Sequence, residues 1–310
     1  MPLVLVRVPT FRRPHLLTRA IACLQAQTHE DWVCEVRDDC PEQSARLVVD
    51  ELADPRIRYI HNKPQKFLIR NLDDCFRCDN PYGADFFFLL EDDNQVRPQF
   101  MQRGIEILAQ MGLSICQLDQ LVDYVDQGRL SEKGLLAHRL ENRVYQPVEF
   151  RLSLFGGIGI SNGAVFWSKN IKRELSFGVD TIPALDEFIR TCMVSEPIYI
   201  SHEPLAIWRW DEQGTTRNNG LKAGRLKREL DLHASLRHLR RDLWRRTPEC
   251  LRREFLAGGV VKTPMRDRFN AIRKAGLPIK PLPPLRWKEA AKYMAGTCLG
   301  RVHPSVTDLV

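Results

Sequence analysis

Three acidic residues in a row, Glu91-Asp92-Asp93, close an apolar run that begins with Asp85 and ends with Leu90. Like charges at that spacing repel, and a strand end holds them only if a cation or water offsets the repulsion. A hard divalent ion takes oxygen ligands. Magnesium in particular binds through one or two carboxylates and completes its shell with substrate phosphates. The triplet therefore suits a site where a diphosphate finishes the coordination, and a solvated turn after a buried strand is the plainer alternative. A second acidic pair, Asp38-Asp39, closes another short apolar run, Trp32 to Val36. A carboxylate there can accept hydrogen bonds from a nucleobase N–H or from ribose hydroxyls. Arg12, Arg13 and Arg70 could bring positive charge to the same place, or could be ordinary surface charges.

Residues so far apart in sequence need a frame that brings them to one edge. From Leu3 to Leu118 the pattern alternates. Strands are expected at Leu3–Val8, Trp32–Val36, Ile57–Ile60, Asp85–Leu90 and Ser114–Leu118, and helices at Pro14–Ala26, Glu42–Ala53, Lys66–Cys78 and Pro98–Met111. Such units imply an α/β fold with a mostly parallel sheet flanked by helices. Ligands of these sheets bind outside the carboxyl ends of the strands. Three strand ends here carry distinctive residues: Pro9-Thr10, Asp38-Asp39 and Glu91-Asp92-Asp93. Beyond Asp119 the pattern loosens through a long excursion, Val122 to Val148. A strand at Ser161–Trp167, a helix at Pro183–Met193 capped by Asp180 or Thr181, and strands at Ile198–Ile200 and Leu205–Trp210 follow. Gly156, Gly157 and Gly159 do not open a helix after a strand, so they are no dinucleotide fingerprint.

The ordered motifs PTFRRP (Pro9 to Pro14), AQT (Ala26 to Thr28), RDDCPE (Arg37 to Glu42), DPRIRYI (Asp54 to Ile60), IRN (Ile69 to Asn71) and LLEDDNQVRP (Leu89 to Pro98) resemble family 2 glycosyltransferases with the GT-A fold. The resemblance is dense from residue 3 to about 115 and looser from about 160 to 217. It implies a nucleotide-binding half, 1–118, and an acceptor-binding half, 119–220, followed by a basic, helical and proline-containing extension, 221–310. It also implies a metal-dependent, inverting transfer of sugar from a nucleoside-diphosphate donor, with UDP the default, to a hydroxyl of a glycan or lipid-linked acceptor. Pro9, Thr10 and Arg12 would line the nucleotide pocket. Asp39 would recognise the base with Arg70 beside it; in the acidic region Glu91 would help bind the donor, Asp92 would face ribose or sugar, and Asp93 would hold manganese or magnesium. The chain departs from the family at Arg13, which stands where Asn-Arg is usual, and at Cys40-Pro41 in place of Gly-Ser.

An inverting transfer needs a general base to take the acceptor's proton. The family places an Asp near the start of a helix, in a stretch matched here by Pro183 to Arg190, but the aligned position is Ala184. Asp186 is the expected base, with Asp180 and Glu187 as substitutes. The bland alternative is that Asp186 and Glu187 favour the helix dipole. The family's closing segment matches His202 to Leu205 and Trp208 to Thr216, with Asp211 standing where some members have a metal-binding His. Missing the acid at Ala184, the chain could instead be a catalytically silent binding or assembly subunit.

At 310 residues, with 44% hydrophobic and 27% charged residues, the chain is neither disordered nor membrane-spanning by composition. Nine scattered cysteines and the lack of a leader point to the cytoplasm, and Cys75 and Cys78 are assigned no metal. The net charge of +7 hides an asymmetry: +13 from Leu221 onward against −6 before it. Within 224–255, Leu226, Leu230, Leu236, Leu239 and Leu243 form a helical stripe flanked by eight basic residues. That helix either packs its leucines on the catalytic body or brings its basic face to an anionic inner leaflet or phosphorylated acceptor. Nucleic acid is not the expected partner, because no recognition motif accompanies the charge.

Overall fold

A computed structural model describes residues 1–211, 223–277 and 287–307. The first half is built as the periodicity demands. Strand β1 (Val4–Thr10) buries Val4, Leu5, Val6 and Val8, as a strand covered on both faces must. Helix α1 (Pro14–Gln25) has proline in its first turn and buries Leu16, Leu17, Ala20, Ile21 and Leu24. There follow β2 (Trp32–Asp38), α2 (Arg46–Leu52), β3 (Ile57–His61), α3 (Phe67–Asp74), β4 (Phe86–Leu89), β5 (Gln95–Val96), α4 (Phe100–Met111) and β6 (Ile115–Tyr124). The second half holds β7 (Arg129–Leu130), β8 (Val144–Tyr145), α5 (Pro147–Arg151), β9 (Val165–Ser168), α6 (Leu185–Met193) and β10 (Ile198–Trp210).

The strands run β3-β2-β1-β4-β9-β6-β10-β5 across one sheet. β1 is parallel to β2 and β4, β2 to β3, and β6 to β10, while β9 is antiparallel to both β4 and β6. The strand order reverses at β1, with β2 on one side and β4 on the other. The crevice beyond their carboxyl ends is the switch point of the sheet. Aromatic packing fixes β4 beneath it: Phe87 lies opposite Trp167 and Phe88 opposite Phe166. The ring of Phe88 is 4.9 Å from that of Phe100 on α4, and Trp167 stacks on Phe76 at 5.3 Å. These side chains are buried, each stabilising by roughly 1.5–3 kcal/mol, so the acidic turn stands on a rigid base.

Several expectations are corrected. The strands expected at Ile198–Ile200 and Leu205–Trp210 are one strand, β10, whose register against β6 shifts on either side of Pro204. A proline cannot donate to the ladder, and a bulge absorbs it. Neither Asp180 nor Thr181 caps α6. Ala184 precedes it in the left-handed region (φ 73°), and no side chain caps that end. The Val122–Val148 excursion is shorter, because β6 continues to Tyr124 and turns back on itself through β7.

The basic extension forms α7 (Ala223–Arg246), α8 (Glu249–Ala257), α9 (Met265–Lys274) and α10 (Trp287–Leu299). Pro248 ends the helix expected to run to Phe255 and starts a new one. Leu236, Leu239 and Leu243 are buried, and Leu226 is exposed. Trp244 and Phe255 close on Phe155 at 5.4 and 5.6 Å, and Arg240 Nε donates to the carbonyl of Leu154. The C-terminal part of the stripe, Leu236, Leu239 and Leu243, thus belongs to a core shared with the acceptor-side half. No helix of the described residues is long and apolar enough to cross a membrane.

Candidate active site

Thr10 is the last residue of β1, and its hydroxyl donates to Asp92 Oδ2 at 2.7 Å. The Asp39 amide donates to the Thr10 carbonyl at 3.0 Å. The ends of β1, β2 and β4 therefore meet, as parallel neighbours must. Pro9 lies beyond the last β1–β4 pair, Arg7 with Leu89, so its missing N–H breaks no bond on that side. Arg12 adopts φ 56°, a left-handed conformation for a bulky residue, and this turn aims the two arginines apart. Arg12 leaves the crevice and forms a two-pronged pair with Glu42, whose carboxyl is drawn down to about 2 by the Cys40 thiol and this guanidinium. Arg13 turns inward, one guanidinium nitrogen 2.6 Å from Asp92 Oδ1 and another 2.8 Å from Asp93 Oδ2. Arg13 is therefore the cation of the acidic turn.

Asp92 is fully buried, and burial pushes its carboxyl up to about 6 against the pull of Arg13. Asp93 is partly open, and its Oδ1 takes no hydrogen bond among the described residues. Glu91 accepts from Asn94 Nδ2 at 2.7 Å, and Asn94 Oδ1 accepts from the Arg209 amide, pinning the end of β10 beside the turn. Burial raises Glu91 well above the usual carboxylate range, and Asp93, Glu187 and Asp186 add to the push. Asp211 follows on β10, 3.8 Å from Arg209, while 212–216 of the closing segment lie outside the described residues.

Asp38 and Asp39 divide their work. Asp38 accepts from the amides of Cys40 and Ala45 and from the Tyr59 hydroxyl, which ties the turn after β2. Asp39 Oδ1 accepts from Asn62 Nδ2 and the Lys66 amide, and Oδ2 from the Phe67 amide at 2.7 Å. Oδ2 thus keeps a second lone pair. Arg70, exposed on the outer face of α3, pairs at 3.2 Å with Asp180, itself mostly exposed.

On the other wall, Arg190 is wholly buried between Asp186 (2.8 Å) and Asp73 (3.2 Å), with its guanidinium 3.8 Å from the Phe76 ring centre. Asn162 bridges the same group, donating to Asp186 and accepting from Arg190. Asp73 also accepts from the Ser176 hydroxyl and the Gly178 amide. Asp186, the expected base, is therefore consumed in a closed ion-pair network. Its neighbour Glu187 is half-buried, and its Oε1 takes only the Asn162 amide at 3.4 Å. Burial and the charge of Asp186 lift Glu187 to about 7. The roles of Asn94, Asn162 and Arg190 are not visible in the motifs. The signal for Arg190 was its place four residues after Asp186, where a helix sets the two on one face.

Among the described residues, no group of three or more His, Cys, Asp or Glu side chains encloses a metal site. The acidic turn offers instead an all-oxygen donor set in which Asp93 Oδ1 and Glu91 Oε1 accept no hydrogen bond among the described residues, with Asp93 the more open of the two. That fits a hard divalent ion that takes the rest of its shell from a phosphate ligand.

A family model described as glycosyl transferase family 2 matches residues 5–159. A putative colanic acid biosynthesis glycosyl transferase, WcaA of Escherichia coli (strain K12), is 40% identical over 63 residues, 20% of this chain and 23% of the relative. The match thus spans about a quarter of that relative's length. The crystal structure of S. aureus TarS 1-349 in complex with UDP-GlcNAc superposes with a TM-score of 0.62 at 10% identity, covering 96% of this chain and 79% of that one. The same fragment in a second crystal structure gives 0.57 at 10% identity and the same coverage. At that identity the likeness shows a shared fold alone.

Proposed function

The chain belongs to glycosyl transferase family 2, and from that premise we propose that it transfers a sugar from a nucleoside-diphosphate donor to an acceptor hydroxyl with inversion. The observation that supports this most is the facing of two acidic groups across one crevice. The turn Glu91-Asp92-Asp93 comes from the donor half, and Glu187 from the acceptor half adds to the charge felt by Glu91. On this reading Asp39 Oδ2 accepts from the base N–H with its second lone pair. Pro9 and Thr10 floor the nucleotide pocket, Arg70 flanks the base, and Asp92, buffered by Arg13, faces the ribose or sugar. Arg12 sits at the rim on Glu42.

Asp93 would hold manganese or magnesium, which when bound supplies positive charge to the departing diphosphate. Glu187 takes the acceptor's proton while the acceptor oxygen bonds to the anomeric carbon and the bond from that carbon to the diphosphate oxygen breaks. A base lifted to about 7 by burial and by Asp186 lies in the range where a carboxylate can accept a proton in the transition state near neutral pH. Glu187 thereby fills the role left open at Ala184, and a silent subunit gains no support. UDP is the proposed carrier, as in the TarS complex with UDP-GlcNAc. A glycan or lipid-linked acceptor fits a family with a colanic acid biosynthesis relative. Any attachment to an anionic inner leaflet would rest mainly on the exposed arginines of α7, because Leu236, Leu239 and Leu243 are used in packing.

The test is donor consumption. Purified protein with manganese and a panel of nucleotide sugars should release nucleoside diphosphate from at least one UDP-sugar, faster when acceptor glycans are added, and EDTA should stop it. Release that is indifferent to EDTA would remove the metal from the proposal. No release from any donor would remove the transfer.

A further inference from the structure

Asp39 is held by two consecutive amides. Those of Lys66 and Phe67 donate to its Oδ1 and Oδ2, each at 2.7 Å. The backbone that turns them the same way is right-handed at Lys66 (φ −95°, ψ −17°) and left-handed at Phe67 (φ 62°). A right-handed residue followed by a left-handed one makes a concave nest whose amides converge on an anion, here the carboxylate of Asp39. The nest accounts for the backbone. It does not account for the phenylalanine.

A left-handed position favours glycine, and a bulky side chain there carries a steric cost that glycine escapes. Among the described residues outside glycine that adopt it, Phe67 alone is aromatic. The ring gives nothing back to the fold. Phe67 is 68% exposed, lies outside the hydrophobic core and the side chains packed against it, and pairs with no other ring or cation among the described residues. Strained positions of this kind cluster where ligands are clamped, and a large exposed apolar ring offsets its cost only when something covers it. Its neighbour says what that is. Only Cα and Cβ separate the ring from the nitrogen that lies 2.7 Å from Asp39 Oδ2, the oxygen whose second lone pair is assigned above to a base N–H. A planar base held edge-on by that carboxylate brings its face within reach of the ring. Phe11, exposed beyond the end of β1, already has the Arg12 guanidinium 5.1 Å from its ring centre.

We propose that Phe67 stacks on the face of the donor's nucleobase while Asp39 reads its edge. This rests on the nucleotide reading above and adds a division of labour to it. Every base has a π face, so the ring sets affinity and the carboxylate sets which base is taken. The test is calorimetric titration of UDP with manganese, beside melting curves, for wild type, Phe67→Gly, Phe67→Asn and Phe67→Tyr. Glycine and asparagine both accept a left-handed backbone and lack the ring. Each should weaken UDP about 5- to 150-fold, the loss of one base–aromatic stack of roughly 1–3 kcal/mol. Neither should melt below wild type, because both relieve the steric cost and leave the core untouched. Phe67→Tyr keeps a ring and should bind as wild type does. UDP bound equally tightly by all four proteins overturns the stacking. So does a loss that Phe67→Tyr shares, or one confined to Phe67→Gly, where added backbone freedom is the cause. Lower melting temperatures in both ring-less variants would make the ring structural and overturn it as well. No binding of any nucleoside diphosphate to the wild type would remove the nucleotide reading itself, and the stacking with it.

Discussion

Asp93→Ala is expected to abolish sugar transfer while leaving the protein folded. Asp93 stands at the open rim of the acidic turn, and among the described residues its only hydrogen bond comes from Arg13, so its removal costs the fold little. The reaction loses the most open carboxylate of the turn, the one placed to hold a cation on the diphosphate. Charge stabilisation of that kind is worth several kcal/mol, so turnover should fall about 10³-fold or more. The check is initial rate across a manganese titration, with a melting curve beside it. The melting temperature should stay within a few degrees, and added manganese should not restore the rate. Near-normal turnover in Asp93→Ala would mean that another residue holds the ion or that none is needed.

Glu187→Gln carries the second large effect, and it should act on rate and stability in opposite directions. Loss of the proton acceptor should lower kcat by roughly 10²–10⁴-fold while donor affinity persists. The wild-type kcat should rise with pH through about 7, the value to which burial and Asp186 lift this carboxyl, and Glu187→Gln should lose that limb. Stability follows from the same shift. Below the ordinary value of 4.5 the group is protonated folded or unfolded. Between 4.5 and about 7 the folded state keeps a proton that the unfolded chain has given up, so native stability falls as pH rises through that window. Gln carries no such cost. The variant should be more stable than wild type above pH 7, by about 1–3 kcal/mol at most, with the difference vanishing toward pH 4. Asp186→Asn should behave oppositely. It breaks one of two ion pairs to a fully buried arginine and should lower the melting temperature at neutral pH, with a pH–rate limb still present. A large loss of kcat in Asp186→Asn at unchanged stability would return the base to Asp186.

The contrast between these two neighbours shows what was legible in the chain. The alternation of strand and helix, the edge where β1, β2 and β4 end, and the acidic turn could all be read from local periodicity and from charge placed directly after apolar runs. The choice between Asp186 and Glu187 could not. It depends on the rotation of α6, which is set by Arg190 buried between Asp73 and Asp186, a contact spanning 117 positions. Nor could the sequence separate Arg12 from Arg13, because their divergence comes from a left-handed φ at Arg12 that no residue type announces. The leucine stripe of α7 was visible, but what it packs on was not, since Phe155 and Phe255 meet it from distant segments. The place of Asp39 at a strand end is legible, while its bonds to the amides of Lys66 and Phe67 depend on how the loop before α3 folds back.

The most direct measurement is equilibrium binding of UDP at the strand edge, by calorimetric titration with manganese into wild type, Asp39→Asn and Asp93→Ala. UDP should bind wild type in one site. Asp39→Asn should weaken it by about tenfold or more whether or not metal is present, as loss of a charged hydrogen-bond acceptor requires. Asp93→Ala should weaken it only when manganese is present. No heat of binding for UDP or any other nucleoside diphosphate, or binding equally tight in all three proteins, would contradict a nucleotide-sugar site between β1 and β4.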